Sequence, residues 1–260
     1  MSHPEPEREI QILIDGRVYS ADPRENVLQA ARRNGIQTIP TLCYHPALGS
    51  EGACRLCIVE VNREKPILKT ACNLMVYEGL EIKTSTEAVL SSRKISLSLL
   101  LTRAPNSPAL LELARGYDME FPPKPIITEE NSSSCILCGL CVKACAALGI
   151  EALQFLGKGQ ERRVAMIARE GQSSCIGCRV CEQLCQTQDI LGEESNGVLK
   201  LEKWNLNLTM AACSSCGRYF TTHAALAYAK KKVPVVGKRI VFCPECKRES
   251  SIPTKLRTNL

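Results

Sequence analysis

The chain has 260 residues and a net charge of +6, with sixteen cysteines but only four Phe and one Trp. That length allows one large domain or two to four small ones, and the excess of thiols over aromatics argues against one large aromatic core and for small modules organised by metal. No apolar run reaches membrane-spanning length, and the opening "MSHPEPEREI" has neither a signal-peptide core nor a twin-arginine motif.

A soluble, cytoplasmic protein is therefore expected, and in that reducing compartment dense cysteine points to metal or redox centres rather than disulfides. From Cys213 onward ten Lys/Arg face two Asp/Glu, so this tail carries +8 and the remainder −2. Such a tail suits a solvated surface, an acidic protein partner or nucleic acid.

Near the N-terminus "EIQILIDGRVYSA" reads as a strand, a turn at Asp15–Gly16 and a second strand. "ADPRENVLQAARRNGI" reads as a helix with Asp22 as N-cap, Pro23 at N1, Glu25 at N3 and Gly35 at its end. The first cysteine set follows, as Cys43-x10-Cys54-x2-Cys57-x14-Cys72. Its long gaps are not a usual zinc-ribbon pattern. "GSEGACRLC" supplies small residues that let backbone N–H groups approach sulfur. "CIVEV" and "LEIKT" read as further strands. A hairpin, a helix and a cysteine loop is the order of a β-grasp ferredoxin.

The stretch "TLCYHPALGSEGACRLCIVEVNREKPILKTACNLMVYEGLEIKT" resembles the [2Fe–2S] domain at the start of the large peripheral-arm subunit of respiratory complex I. The same domain opens the diaphorase small subunit of NAD-reducing hydrogenases, and many [FeFe] hydrogenases and formate dehydrogenases. The resemblance covers residues 8 to about 192. It implies a [2Fe–2S] module over 8–84, with Cys43, Cys54, Cys57 and Cys72 as ligands.

In that family a His-Cys ligated [4Fe–4S] cluster commonly sits on a helical segment between the two ferredoxin modules. Here residues 85–125 contain no Cys and no His. Val89, Leu90, Ile95, Leu97, Leu99 and Leu100 fit a buried helix. Asn106-Ser107-Pro108 can cap a second, ending near Gly116. "FPPKP" marks a stiff linker. His45 is expected to be solvated or hydrogen-bonded. Electrons would pass between modules without the bridging cluster, either through close packing or through a partner.

Residues 126–195 carry the strongest signal. "SSCILCGLCVKAC" and "SSCIGCRVCEQLC" align with a period of 40 residues. Three cysteines at x2 spacing wrap one cube, and the fourth lies too far along the next helical turn to close it, so it ligates the neighbouring cube. Cys135, Cys138, Cys141 and Cys185 are assigned to one [4Fe–4S] cluster, and Cys175, Cys178, Cys181 and Cys145 to the other. A pair of zinc knuckles needs only two Cys-x-x-Cys pairs and does not explain the repeated fourth cysteine. The motif resembles the two-cluster bacterial ferredoxin, with Ala146 and Gln186 where that family usually has Pro. "IEALQFLGKGQERRVAMIA" reads as two strands around Gly157–Gly159.

The last set, "CSSCGRYF" and "FCPECKRE", places two Cys-x-x-Cys knuckles 26 residues apart within 208–250. "THAALAYAKKK" reads as a helix and "KRIVF" as a strand. Cys213, Cys216, Cys243 and Cys246 suit zinc first, with an iron–sulfur cluster or a single iron as alternatives. His223 is expected on the helix surface or in its cap.

No dinucleotide-binding G-x-G-x-x-G, P-loop or nucleophile elbow appears. The expected architecture is thus α+β and multi-module: a β-grasp [2Fe–2S] ferredoxin, a helical linker, a two-cluster [4Fe–4S] ferredoxin and a zinc-ribbon-like module. The resemblance implies an electron-transfer subunit between a flavin subunit handling NAD(P)H and a second redox catalytic subunit. That second subunit would be of hydrogenase, formate dehydrogenase or transhydrogenase type, bifurcating assemblies included. No autonomous active site and no membrane contact are expected. The alternative is a redox-sensing adapter gripping nucleic acid or an acidic partner through its basic zinc ribbon, a reading weakened for nucleic acid by the few aromatics.

Overall fold

The computed structural model describes residues 9–119, 134–169, 172–233 and 241–251, and it divides into two compact units, Met1–Leu140 and Cys141–Leu260. Together they form a mixed α+β protein. Among the described residues no helix is long and apolar enough to cross a membrane. The "FPPKP" segment lies outside the described residues.

The first unit begins with β1 (Ile10–Ile14) and β2 (Arg17–Ala21), paired antiparallel. Asp15 and Gly16 both sit at positive φ, which a two-residue hairpin turn of this hand requires. The Asp15 carboxylate accepts from the Thr84 amide at 2.7 Å and its hydroxyl at 2.6 Å, tying the turn to the end of the sheet. Then come α1 (Val27–Arg33), the two-residue strands β3 (Tyr44–His45) and β4 (Gly49–Ser50), β5 (Ile58–Val61), β6 (Ile67–Thr70) and β7 (Leu80–Lys83).

The main sheet runs β2-β1-β7-β5-β6, with β1 and β7 parallel and the other neighbours antiparallel. This is the order expected of a β-grasp. Period-two alternation buries Ile12 and Ile14 of β1, Val59 and Val61 of β5, and Leu80 and Ile82 of β7 in one core with Val27 and Leu28 of α1.

The start of α1 corrects the sequence expectation. Asn26, not Asp22, is the N-cap; it forms a full capping box with Gln29, with both hydrogen bonds at 2.9 Å. Asp22 closes a separate turn upstream, where Arg24 and Glu25 bond to it. The choice between two similar sequence signals falls where burial begins. Val27, Leu28, Ala30 and Ala31 are fully buried, and the amides of Val27 and Leu28 reach the carbonyls of Leu74 and Ala71.

After the sheet, α2 (Glu87–Arg103) and α3 (Pro108–Gly116) form the expected helical pair; Thr86 caps α2 by accepting from the Val89 amide, whereas Ser107 stands at the N-cap of α3 without a side-chain cap bond. The buried face of α2 is Val89, Arg93, Leu97 and Leu101. Leu90, Ile95 and Leu99, expected inside, are exposed, the last two by more than 60%. A four-residue spacing sets the face, and they fall off it. A second core joins Leu42, Cys43, Cys54 and Leu56 to Leu97, Leu101, Ala104, Leu110 and Ile136, with Cys138 packed against it.

The second unit carries α4 (Leu140–Ala147), the hairpin β8 (Leu153–Leu156) and β9 (Arg163–Met166), the short pair β10 (Ala168–Arg169) and β11 (Gln172–Ser173), and α5 (Val180–Gln183). The hairpin matches the strands expected around Gly157–Gly159. Next, β12 (Gly192–Ser195), β13 (Val198–Leu201), β14 (Leu206–Ala212) and β15 (Tyr219–Thr222) form one antiparallel meander, ending in α6 (His223–Lys232). A last helix, α7 (Pro244–Ser251), follows. Of the strand expected at "KRIVF", Lys238 to Ile240 lie outside the described residues, and Val241 and Phe242 form a turn and a bend.

Candidate iron–sulfur and metal centres

All sixteen cysteines are thiols rather than disulfides. The N-terminal four are buried, at 3% exposure or less. Their sulfurs meet as two pairs, Cys43 with Cys54 at 3.4 Å and Cys57 with Cys72 at 3.2 Å. Two thiolates bound to one tetrahedral ion at 2.3 Å stand roughly 3.7 Å apart, so each pair is close to the span of a single metal. Two such pairs fit a two-iron cluster, which takes two thiolates at each iron.

The loop that builds this site needs left-handed backbone. Gly49 and Gly52 have positive φ, and a Cβ on Gly52 would stand 2.6 Å from the Asn73 side chain. Backbone amides of Leu42 and Cys54 point at sulfur, at 3.5 and 3.4 Å. The Ser50 hydroxyl donates to Cys72 at 2.9 Å and accepts from the Gly52 amide at 3.0 Å. Hydrogen bonds from Cys43 and Cys57 hold Cys54 down to about 6 and Cys72 down to about 7, while their partners are pushed up. Thiols this close together are the donor arrangement a metal cation would hold as thiolates. His45 accepts from the Ala47 amide through Nδ1 at 3.2 Å, as expected of a hydrogen-bonded loop histidine.

In the first unit, Cys135 and Cys138 sit at the chain's exit from the second core. The Leu137 amide donates to the Cys135 sulfur at 3.4 Å, and Arg103 donates to the Cys135 carbonyl at 3.1 Å. Leu137 is in the left-handed region, turning the chain between the two thiols.

In the second unit, Cys145, Cys175, Cys178 and Cys181 line one cavity. This is the crossed set expected from the spacing: the last cysteine of one motif with the first three of the other. Burial pushes Cys175 up and Cys181 up to about 12, and neighbouring thiols add to both shifts. Four thiols around one cavity are a donor set that a cationic cluster would hold as thiolates. The Ala152 amide donates to Cys145 and the Asp189 amide to Cys185, both at 3.2 Å.

The cysteine loop at Cys175–Cys181 is pinned by the meander. Gly177 has φ +68, and a Cβ there would meet Leu208 and Thr222 at 2.7 Å. The buried Thr222 hydroxyl donates to the Ile176 carbonyl and caps α6 by accepting from the Ala225 amide. Arg179, also left-handed, donates to Glu182, Glu194 and the Gly192 carbonyl, fastening the loop to β12.

The sulfurs of Cys213, Cys216, Cys243 and Cys246 all lie within 4.8 Å of one another. Backbone N–H groups, first that of Cys216 and then that of Cys243, hold Cys213 down to about 6, whereas a hydrogen bond to Cys243 pushes Cys246 up to about 12. These cysteines could bind a metal. His223 is exposed at the start of α6, outside this set. Cysteine spacing carries no signal for Ser50 or Thr222; only packing brings them to the sites.

Residues 7–87 match the 2Fe-2S iron-sulfur cluster binding domain, and residues 134–189 match the 4Fe-4S dicluster domain. The chain carries both kinds of iron–sulfur electron-transfer domain. Its relatives include the mitochondrial NADH-ubiquinone oxidoreductase 78 kDa subunit of Candida albicans, 35% identical over 37% of this chain and 13% of the relative. NADH dehydrogenase [ubiquinone] iron-sulfur protein 1 of Solanum tuberosum is 28% identical over 62% and 24%. NADPH-Fe(3+) oxidoreductase subunit alpha of Geobacter sulfurreducens is 27% identical over 58% and 20%. The chain therefore spans a quarter or less of the length of these curated relatives. A chain of the crystal structure of NAD+-reducing [NiFe]-hydrogenase in the H2-reduced state superposes with TM-score 0.59 and 27% identity, over 74% of this chain and 87% of that one. Both matched domains stop short of Cys213.

Proposed function

We propose that this chain is an electron-transfer subunit of a multi-subunit oxidoreductase. It passes single electrons between a flavin-containing, NAD(P)H-linked subunit and a second redox catalytic subunit of hydrogenase, formate dehydrogenase or transhydrogenase type. The ligand sets are Cys43, Cys54, Cys57 and Cys72 for [2Fe–2S]; Cys135, Cys138, Cys141 and Cys185 for the first [4Fe–4S]; and Cys175, Cys178, Cys181 and Cys145 for the second. Cys213, Cys216, Cys243 and Cys246 hold zinc, which stabilises the fold without redox chemistry. Bound iron–sulfur clusters supply one-electron chemistry; the chain's thiolates, backbone N–H groups and burial set their potentials.

The observation that carries this reading is the second core of the first unit, where Cys43 and Cys54 share one continuous packing with Ile136 and Cys138. A relay needs neighbouring centres joined by packed atoms, and Leu97, Leu101 and Leu110 of the cysteine-free helical pair fill that space. Close packing therefore replaces a bridging cluster.

The test is anaerobic purification with the native partners, followed by iron, sulfide and zinc analysis of this chain. About ten iron atoms and about one zinc per chain are expected. About fourteen iron atoms with no zinc would turn the C-terminal site into a further cluster. A chain that purifies without a flavoprotein but binds DNA in a salt-dependent way would overturn the subunit reading.

A further inference from the structure

Trp204 is the only tryptophan in the chain. It closes a 3-10 turn, Glu202–Trp204, directly after β13 and beyond the end of the matched dicluster domain at residue 189. Its ring lines the cavity shared by Cys145, Cys175, Cys178 and Cys181. Its indole Nε1–H is shut off from solvent and has no acceptor among the described residues.

An indole nitrogen can only donate, and burying it unpaired is unfavourable. The lining is otherwise mostly aliphatic, with Leu148, Ile150, Leu153 and Leu201 among it. Packing against Leu199, Leu201 and Met210 accounts for the ring but not for the nitrogen, since phenylalanine would pack there without one. The placement is fixed on both sides. Lys203 is ion-paired with the largely buried Asp189, and Asn205 is left-handed with its amide on the Glu202 carbonyl at 2.9 Å. No cysteine sulfur and no other acceptor among the described residues takes the hydrogen bond.

We infer that the Trp204 indole donates a hydrogen bond to a sulfide sulfur of the second [4Fe–4S] cluster and raises that cluster's reduction potential. The inference rests on the cluster assignment proposed above. The direction follows from charge: the reduced cluster is the more negative state, so a donor stabilises it more than the oxidised one.

Two changes test this on the full, cluster-loaded chain. Trp204→Phe removes the donor, and biosynthetic replacement of the single tryptophan by its benzothiophene analogue removes the N–H while keeping the ring shape. EPR-monitored redox titration of both should show the potential of one [4Fe–4S] cluster falling while the other and the [2Fe–2S] site stay in place. The expected shift is at least threefold in the reduction equilibrium, roughly 30 mV for one electron. In the unmodified chain, tryptophan emission should be strongly quenched on cluster loading. Unchanged potentials at full iron content, or emission indifferent to loading, would overturn the donor role and leave the relay reading standing. An iron content one cubane short would overturn both.

Discussion

Arg93 occupies the buried face of α2 where the apolar pattern calls for a hydrocarbon. It is 2% exposed and donates to the Ile58 carbonyl at 2.7 and 3.2 Å, with a longer contact to the Thr38 carbonyl. Ile58 directly follows Cys57, so the guanidinium holds the backbone next to that buried thiol. Arg93→Met should cost about 1.5–3 kcal/mol, the worth of charge-assisted hydrogen bonds at a buried carbonyl, read as a lowered denaturation midpoint. At the same site the Ser50 hydroxyl points at Cys72. Ser50→Ala should lower the [2Fe–2S] potential alone, by about 1 kcal/mol of differential stabilisation, in an EPR-monitored titration. Neither residue is announced by spacing. Ser50 is one small residue among several in its loop, and Arg93 reads as a surface charge until the chain folds over it.

At the scale of elements, local chemistry was legible and faces were not. The Asp15–Gly16 turn, the hairpin around Gly157–Gly159 and the Ser107–Pro108 helix start all follow from residue types with narrow backbone preferences. The inner face of α2 was misread because apolar residues stand on more than one side of it: Ile95 and Leu99 are as hydrophobic as Leu97 and Leu101, and only contact with Leu42 and Leu56 chooses between them. The cysteine motifs marked two sets that the fold brings together, Cys145 with Cys175, Cys178 and Cys181 around one cavity and the last four within 4.8 Å of one another. What the meander does for them was hidden, because the pinning at Gly177 and Thr222 is long-range. Gly177→Ala combines a left-handed backbone with a clash against Leu208 and Thr222. It should destabilise the second unit by about 1–3 kcal/mol and lower its iron content, while the N-terminal [2Fe–2S] signal persists. Iron analysis with EPR separates the two.

Taken as a whole molecule, the chain brings the C-terminal cysteine set and the cavity of Cys145, Cys175, Cys178 and Cys181 to one meander. β14 leads into Cys213, and β13 ends beside the Trp204 turn. Cys243→Ser combined with Cys246→Ser should remove about one zinc per chain and expose the segment around α7 to protease, with iron held at about ten per chain. Loss of iron in that variant would show that the fourth set carries a cluster. The boundary between dicluster and C-terminal modules read from sequence, between residues 195 and 208, falls inside this continuous sheet. Cysteine spacing marks where ligands fall, and hydrogen-bonded strands need not respect it.

Cys178 is the exposed thiol among the four that line the cavity of the second unit, whereas the N-terminal four are all buried. Exposure to air tests that contrast. Dioxygen and peroxide reach a cluster through its open corner, so the isolated chain should bleach in a set order. The second cubane should fail first and the [2Fe–2S] centre should survive longest. A preparation handled in air would then keep about two irons and a spectrum of the N-terminal site alone, and would pass for a much simpler protein than the one the cell makes.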